Sequence, residues 1–132
     1  MPLLLSFILS LFLLNQPNFG EEKVLESIDP VISAIDGGSS GDLAKYFDAS
    51  LSLNINGQQG EYSKNQAELV IRDFFKKNPS MGFTVVYRSE TNPNLSSFIG
   101  DYQSQQGPYK VFIKISQQAG NLKIYSLEFV KA

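Results

Sequence analysis

The chain has 132 residues, a formal net charge of −2, and neither cysteine nor histidine. This length suits a single domain, and the small, mixed charge excludes a protein that binds nucleic acid through a basic surface. Because Cys and His are absent, disulfides, thiolate catalysis, zinc-thiolate sites and the commonest general base are also excluded.

The first 20 residues have the pattern of a signal peptide. Residues 3–14 are apolar except for two serines, and as a helix they would span about 18 Å, well short of the roughly 30 Å hydrocarbon core of a membrane. A polar segment follows, and the bond between Gly20 and Glu21 is the expected cleavage site. We therefore expect export to the periplasm or secretion, with residues 21–132 as one domain that has no membrane span after cleavage.

Because of two features of this segment, an uncleaved, tethered form remains an alternative. Asn18 stands where a small residue is usual, three positions before the cut, and no Lys or Arg lies near Met1. A buried helix over residues 3–14 is the other alternative, but the run is apolar on all sides and lacks the 3.6-residue pattern of a helix that packs on a core. Export is the favoured interpretation.

Two helices are predicted at the start of the mature chain. Apolar residues recur every three or four positions over residues 22–35, which is typical of a helix. Pro30 should kink this helix or begin a new turn, and the Gly37-Gly38 pair should end it. A second, short helix is predicted over residues 40–47.

A strand and a short return strand follow. Apolar and polar residues alternate over residues 50–56, so one face of this strand should be buried. Asn56-Gly57 is a strong hairpin signal, and residues 58–62 can return as a short edge strand.

The third helix is predicted over residues 63–77. Ser63 and Gln66 have the spacing of a capping box, and Asn78-Pro79 should end the helix because the residue before a proline avoids the helical region. One apolar stripe should face the core, formed by Ala67, Val70, Ile71, Phe74 and Phe75.

The rest of the chain is predicted to be β-structure, with Gly100 as a bulge. Short turns between consecutive strands imply an antiparallel meander. The four predicted strands cover residues 81–90, 95–105, 108–117 and 122–131.

Helices with one apolar stripe must cover one face of the sheet, so the fold class is α+β. A strongly twisted antiparallel sheet packed against the N-terminal helix and two further helices makes a cone. This order of elements resembles the cystatin-like, or nuclear-transport-factor-2-like, fold. The resemblance implies a cone with a cavity at its wide end, on a fold shared by ketosteroid isomerases, dehydratases and many non-catalytic binding modules.

Three motifs in the middle of the chain support a closer resemblance. They are Tyr62-Ser63-Lys64-Asn65-Gln66-Ala67-Glu68, then Phe74-Phe75 with Asn78-Pro79 after it, and Ile99-Gly100 ahead of a strand over residues 109–115. In order and spacing they resemble an exported bacterial family, domain of unknown function 4783, over roughly residues 24–130. The resemblance implies the cone-like fold and a signal peptide, but no activity.

A ligand pocket, if one exists, is expected between the third helix and the strands. Its expected lining is Tyr87, Tyr102, Tyr125, Asp101 and Phe74. Packing in the core is the alternative for each aromatic residue, and exposure to solvent is the alternative for the aspartate. No residue matches a catalytic motif, no set of side chains matches a metal site, and no cofactor is expected.

Three functions therefore remain open. The first is a non-enzymatic exported module that binds a small apolar ligand or a protein partner. The second is a small isomerase- or dehydratase-type enzyme that uses Asp and Tyr in the cone, with four carboxylates near strands as candidates, Asp48, Glu61, Asp101 and Glu128. The third is a homodimer formed through the outer face of the sheet.

Overall fold

The computed structural model describes residues 27–118 and 120–132, which form helices packed on one sheet. The predicted signal peptide, its cleavage site at Gly20 and residues 21–26 lie outside the described residues. The helices are α1 (Asp29–Asp36), α2 (Ser40–Ala44) and α3 (Lys64–Lys77). The strands are β1 (Phe47–Ile55), β2 (Gln58–Ser63), β3 (Ser80–Asn92), β4 (Leu95–Ser104), β5 (Tyr109–Gln118) and β6 (Asn121–Lys131).

Helix α1 begins at Asp29, with Pro30 in its first turn. Proline has no N–H to donate, and the first turn of a helix is where that donor is not needed. The Asp29 amide donates to the Ser27 hydroxyl at 3.0 Å, just outside the helix. Of the two effects predicted for Pro30, the start of a new helical turn is the one observed.

Helix α3 begins with the predicted capping box. The Gln66 amide donates to Ser63 Oγ at 3.3 Å, and the Ser63 amide donates to Gln66 Oε1 at 3.3 Å. Two amides that the helix itself cannot satisfy are thereby paired. The apolar stripe faces the core as predicted, with Ala67, Ile71, Phe74 and Phe75 buried and Val70 half-buried.

The six strands form one sheet in the order β2-β1-β6-β5-β4-β3. The predicted antiparallel meander is confirmed for β3 to β6. The sheet as a whole is mixed rather than antiparallel, because β1 runs parallel to β6. A parallel pair needs a long connection, and the chain between β1 and β6 supplies one through β2, α3 and three further strands.

The three helices cover one face of the sheet, here called the inner face, and the opposite side is the outer face. Side chains alternate between the two faces along each strand. The inner face and the helices share one buried core. The strand residues in this core include Leu51, Leu53, Phe83, Phe98, Tyr102, Tyr109, Val111, Ile113, Ile115, Ile124, Leu127 and Phe129.

Gly100 pairs regularly with Val111 of β5, so the bulge predicted at this glycine is wrong. The register shift lies on β3, between Val85 and Tyr87, opposite this part of β4. A Cβ at position 100 would stand 2.4 Å from Cε1 of Phe83. The glycine therefore lets an aromatic ring pack directly on the backbone of β4.

Candidate functional site

A half-enclosed cleft of about 270 Å³ lies between α3 and the β1–β2 hairpin. Its apolar wall is formed by Leu53, Ile55, Tyr62, Val70 and Phe74. Its polar rim is formed by Asn56, Gln58, Asp73, Lys77 and Asn78. An apolar wall with a few polar groups at its edge is the usual composition of a small-molecule site.

The apolar wall is held by its neighbours. Leu53 and Phe74 are buried, and they fix the back of the cleft. Tyr62 and Val70 are half-buried and pack against the core from the two sides. A Cβ at Gly60 would stand 3.0 Å from Cε2 of Tyr62, so the glycine leaves room for the tyrosine ring beside the strand.

The tip of the β1–β2 hairpin is tied to the end of β6. Asn56 adopts a left-handed backbone conformation (φ 52°), which asparagine tolerates better than most residues. Its amide donates to the Phe129 carbonyl at 2.8 Å, and its Oδ1 accepts from the Lys131 amide at 3.0 Å. These two bonds hold this edge of the cleft in place.

The charged part of the rim is an ion pair on the exposed side of α3. Lys77 Nζ lies 3.1 Å from Asp73 Oδ2, and the two side chains are 73% and 62% exposed. An exposed pair of this kind contributes little to stability. Both groups are therefore free to reorient toward a bound molecule.

Asn78 is the buried member of the polar rim. Tyr102 donates its hydroxyl to the Asn78 carbonyl at 2.6 Å, and Tyr109 donates its hydroxyl to Asn78 Oδ1 at 3.1 Å. Asn78 Nδ2 in turn donates to the Phe74 carbonyl at 3.1 Å. Burial raises the pKa of Tyr102 to about 12, so this hydroxyl stays protonated over the whole physiological range.

Aromatic rings fill the interior behind the cleft. Phe74 stands 4.5 Å from Phe129 and 5.0 Å from Tyr109, measured between ring centroids. Tyr102 stands 5.9 Å from Phe74, from Phe75 and from Phe129. These five residues, Phe74, Phe75, Tyr102, Tyr109 and Phe129, are called the aromatic cluster below. They fill the space between α3 and strands β4, β5 and β6, which is part of the region where the ligand pocket is predicted.

The structure does not bring the five predicted pocket residues together. Phe74 lines the cleft, and Tyr102 lies behind it in the aromatic cluster. Asp101 alternates with the buried Tyr102 and so projects from the outer face, where it pairs with Lys110. Tyr87 is 55% exposed at a position that the β3 register shift places opposite Ile99, on the outer face.

Tyr125 also lies on the outer face. The register between β5 and β6 shifts so that Ile124 pairs with Ile115 and Ser126 pairs with Lys114. The extra residue is Tyr125, which follows the inward-facing Ile124 and precedes the outward-facing Ser126. Its side chain is half-buried. A single inserted residue thus removes this tyrosine from the side of the sheet that carries the helices.

The four candidate carboxylates lie apart from one another. Glu128 accepts a hydrogen bond from Asn54 at 3.1 Å on the outer face. Asp48 accepts from the following backbone amide at 2.8 Å, and Glu61 is exposed on β2. Over residues 27–118 and 120–132, no group of three or more acidic side chains converges as a metal site would require.

A second, wider depression lies between α1 and α2. It is lined by Pro30, Ser33, Ala34, Asp42, Lys45 and Tyr46. Its charged groups form an exposed ion pair, in which the Lys45 ammonium lowers the pKa of Asp42 through a hydrogen bond and charge attraction. Most of its lining is polar or exposed, so the cleft beside α3 is the better candidate for an apolar ligand.

The comparison with known proteins identifies the family. The family model for a domain of unknown function, DUF4783, matches residues 28–129. The chain belongs to this family. Among curated proteins no match was found.

Solved structures of the DUF4783 family share the fold. A member from Bacteroides ovatus ATCC 8483 is 26% identical, with a TM-score of 0.74 over 78% of this chain and 93% of that one. A member from Bacteroides uniformis ATCC 8492 is 21% identical, with a TM-score of 0.77 over 81% of this chain and 98% of that one. A domain of unknown function from Nostoc punctiforme PCC 73102, described as having a cystatin-like fold, is 12% identical, with a TM-score of 0.62 over 79% of this chain and 72% of that one. The predicted α+β class and cystatin-like fold are confirmed.

Sequence reasoning missed the hairpin tip and the buried asparagine. The sequence predicts only that Asn78 ends α3, although a polar residue between an aromatic pair and a strand is well placed to accept hydrogen bonds from tyrosine hydroxyls. It predicts Asn56 only as a turn residue. The signal for the hairpin is the Asn-Gly pair, but its contact with the end of β6 depends on strand order.

Within the part of the chain that the structure describes, no helix is both long and apolar enough to cross a membrane.

Proposed function

We propose that this DUF4783 member is exported and that its cleft binds a small, mainly apolar molecule without transforming it chemically. The observation that supports binding is the cleft itself, in which an apolar wall backed by buried residues meets a rim of amide and charged side chains. Apolar contact would supply most of the affinity, and the rim would orient the ligand.

The size of the cleft limits the ligand. Its volume of about 270 Å³ is slightly below the range of roughly 300–1,000 Å³ typical of small-molecule sites. The aromatic cluster closes the space behind it. The ligand is therefore expected to be small, with one end held between Val70 and the hairpin and the other end near the ion pair of Asp73 and Lys77.

The surroundings of the polar groups favour binding over isomerase or dehydratase chemistry. The carboxylate at the cleft belongs to Asp73, and its side chain is 62% exposed and ion-paired. A carboxylate that acts as a general base is usually placed in a site shielded from water. The buried hydroxyls of Tyr102 and Tyr109 already donate to Asn78, so neither is free to stabilise an oxyanion.

The test fills the cleft and leaves its surroundings unchanged. Val70 lines the cleft, whereas the adjacent Leu69 is 55% exposed on α3. We expect Val70→Trp to abolish binding of the apolar fluorescent probe 1-anilinonaphthalene-8-sulfonate and Leu69→Trp to retain it. Both variants are first checked for unchanged circular dichroism and melting temperature, since an unfolded chain would also bind the probe.

The proposal is wrong if the wild-type protein does not bind the probe, or if both Trp variants bind it equally. Amide chemical shifts that move at the β1–β2 hairpin in the wild type, and stay fixed in Val70→Trp, would locate the site independently.

Export rests on the N-terminal segment and has its own test. Expression of the whole chain in a bacterial host, followed by fractionation and N-terminal sequencing, should give a periplasmic or secreted product that begins at Glu21. A product that keeps residues 1–20 in the membrane fraction would show the tethered form instead. A full-length product in the cytoplasm would contradict export.

Homodimerisation is the second function that we propose. Outside the cleft, most of the exposed apolar side chains among the described residues lie on β3, and half-buried ones continue across the outer face. Ile99 and Phe112 are cross-strand neighbours on the outer face, and both are half-buried. Tyr87, next to Ile99, extends this surface to the edge of the sheet. Light scattering over a range of protein concentrations tests whether a dimer forms.

A further inference from the structure

Strand β3 combines a free edge with exposed apolar side chains. The strand order places it at one end of the sheet, paired on one side with β4. Among the described residues, four large hydrophobic side chains are exposed. Three of them lie on this strand, Met81, Val86 and Tyr87, and the fourth is Leu69 on α3. An edge strand of this kind is a template for pairing with another strand.

The first part of this edge is already covered by α1. Asp36 Oδ1 accepts the Phe83 amide at 2.9 Å, and the Asp36 carbonyl accepts from Ser80 Oγ at 2.7 Å. The side chain of Asp36 therefore occupies the position that a neighbouring strand would take. Beyond Phe83, none of the described elements packs along the open side of β3.

The second part of the edge has a self-complementary charge pattern. Arg88 and Glu90 flank Ser89, and their cross-strand partners on β4 are Phe98 and Ser96. Arg88 stands over the Phe98 ring, with its guanidinium carbon 5.5 Å from the ring centroid. Neither charge forms an ion pair with any residue that the structure describes. Two antiparallel copies related by a two-fold axis at Ser89 would bring each Arg88 opposite a Glu90.

We propose that two copies of this chain pair antiparallel through residues 86–92 of β3, about a two-fold axis at Ser89. This inference rests on the proposed homodimer and names its interface. Arg88 of each protomer then faces the partner's Glu90, and the two sheets join into one continuous sheet. Val86 and Tyr87, which are 54% and 55% exposed in the protomer, are covered at the ends of the shared segment.

Register shifts of β3 lie on either side of the axis, between Val85 and Tyr87 and between Glu90 and Asn92, so the regular pairing about Ser89 spans Arg88 to Glu90. In the proposed register, residue 86 pairs with residue 92 of the second copy, so the shared segment stops before the part of the edge that Asp36 covers. Opposite charges directly across an antiparallel pair stabilise it, and like charges destabilise it. One pair of strands buries less surface than a standard interface of about 1,600 Å². The dimer should therefore be weak and dependent on concentration.

The outer face is the other candidate for the same dimer, and its chemistry fits less well. Part of its charge is matched inside the protomer, since Lys110 pairs with Asp101 and Glu128 binds Asn54. Lys114 and Lys123 on the same face form no ion pair with any described residue. Apart from Tyr87, its apolar residues are half-buried already. The edge of β3, by contrast, has charges that match each other across a two-fold axis, next to apolar side chains that are more than half exposed.

The first test uses a cysteine at the axis. The chain has no cysteine of its own, so Ser89→Cys gives one thiol per protomer. Residues directly opposite in an antiparallel pair lie about 4.5–5.5 Å apart at Cα, within the range that a disulfide spans. We expect mild oxidation to cross-link Ser89→Cys at least tenfold faster than the control Ser33→Cys, whose serine is exposed on α1.

The second test reverses the charges. Each of Arg88→Glu and Glu90→Arg places two like-charged pairs across the interface, so we expect the dimer Kd from sedimentation velocity to rise about tenfold or more. The double variant Arg88→Glu/Glu90→Arg restores both pairs, and its Kd should return to within about threefold of the wild type. Phe112→Glu, on the outer face, should leave the Kd unchanged.

The outcomes distinguish an error in the proposed interface from the absence of a dimer. A dimer that persists in Arg88→Glu and is lost in Phe112→Glu would overturn the β3 interface and keep the homodimer. Equal cross-linking of Ser89→Cys and Ser33→Cys would also overturn the interface. A wild-type protein that stays monomeric at every concentration would overturn both proposals.

Discussion

Tyr102 and Asp101 are neighbours in β4, yet they belong to different parts of the molecule. Tyr102 is fully buried on the inner face and donates its hydroxyl to the Asn78 carbonyl. Asp101 projects from the outer face, where Lys110 pairs with it in contact with water. The inner face is closed, with its polar groups paired inside the protein, whereas the outer face and the β3 edge keep groups that a partner can reach.

This difference indicates where function can lie. A deep cavity would require inner-face side chains to leave space and to keep polar groups unpaired. The aromatic cluster instead packs ring against ring, and its hydroxyls converge on one asparagine. The inner face therefore holds the fold together, and the binding surfaces that we propose lie at its margins, in the cleft and along β3.

The largest expected effect on stability comes from comparing one phenylalanine on the inner face with one on the outer face. Phe129→Ala removes a fully buried ring from the aromatic cluster and should lower the free energy of unfolding by about 3–5 kcal/mol. Phe112→Ala removes a half-buried ring from the outer face and should cost about 1 kcal/mol. Urea denaturation of both variants measures the contrast. Equal losses would show that the two faces are packed alike.

The next effect probes the close contact beneath Gly100. Alanine there places a Cβ 2.4 Å from the Phe83 ring and 2.9 Å from the Thr84 carbonyl, so Gly100→Ala should destabilise by about 1–3 kcal/mol. Gly41 in α2 offers a matched control, because its nearest neighbour would be 3.8 Å away. Gly41→Ala should be neutral or slightly stabilising. A Gly100→Ala protein as stable as the wild type would mean that the Phe83 ring can move aside.

A smaller effect separates the two kinds of tyrosine. Tyr102→Phe leaves the buried Asn78 carbonyl without its hydroxyl donor and should cost about 1–2 kcal/mol. Tyr87→Phe removes a hydroxyl from an exposed side chain and should change stability by less than about 0.5 kcal/mol. Thermal melts of the two variants provide the measurement. A loss in Tyr87→Phe as large as that in Tyr102→Phe would contradict the contrast.

The smallest effect is a pH dependence of the contribution that Tyr102 makes to folding stability. Burial raises the pKa of Tyr102 from 10.0 to about 12. Between these values the unfolded chain releases this proton while the folded chain keeps it, so stability falls as pH rises. The stability difference between the wild type and Tyr102→Phe should therefore shrink from pH 9.5 to pH 11.5 in denaturant titrations. A constant difference would show that this hydroxyl titrates alike in both states.

Much of the fold follows from local patterns in the sequence. The capping box at Ser63, the stripe along α3 and the Asn56-Gly57 hairpin depend on neighbouring residues, and all three were predicted. The parallel pairing of β1 with β6 was not predicted, because it joins segments far apart in the chain. Period-two alternation shows that a strand has two faces, but strand order is a property of the whole sheet.

The candidate site was less predictable for the same reason. An uninterrupted alternation would place Tyr125 on the same face as Leu127 and Phe129, and one inserted residue on β6 moves it to the outer face. A similar shift on β3 fixes the position of Tyr87. A β-bulge changes which face of the sheet the following side chains point to, and the sequence around a bulge does not mark it unambiguously. The cleft depends on the hairpin tip meeting the end of β6, which no local pattern encodes.

The parallel pairing of β1 with β6 has a consequence for the order of folding. Strand β1 is the first strand of the sheet in chain order, and its parallel neighbour β6 is the last of the six. Until β6 is complete, the β1–β2 hairpin has no place in the sheet, and the inner face lacks the ring of Phe129. The described domain therefore reaches its compact state only after β6 has joined the sheet, and a chain that stops before β6 should remain an open target for proteolysis.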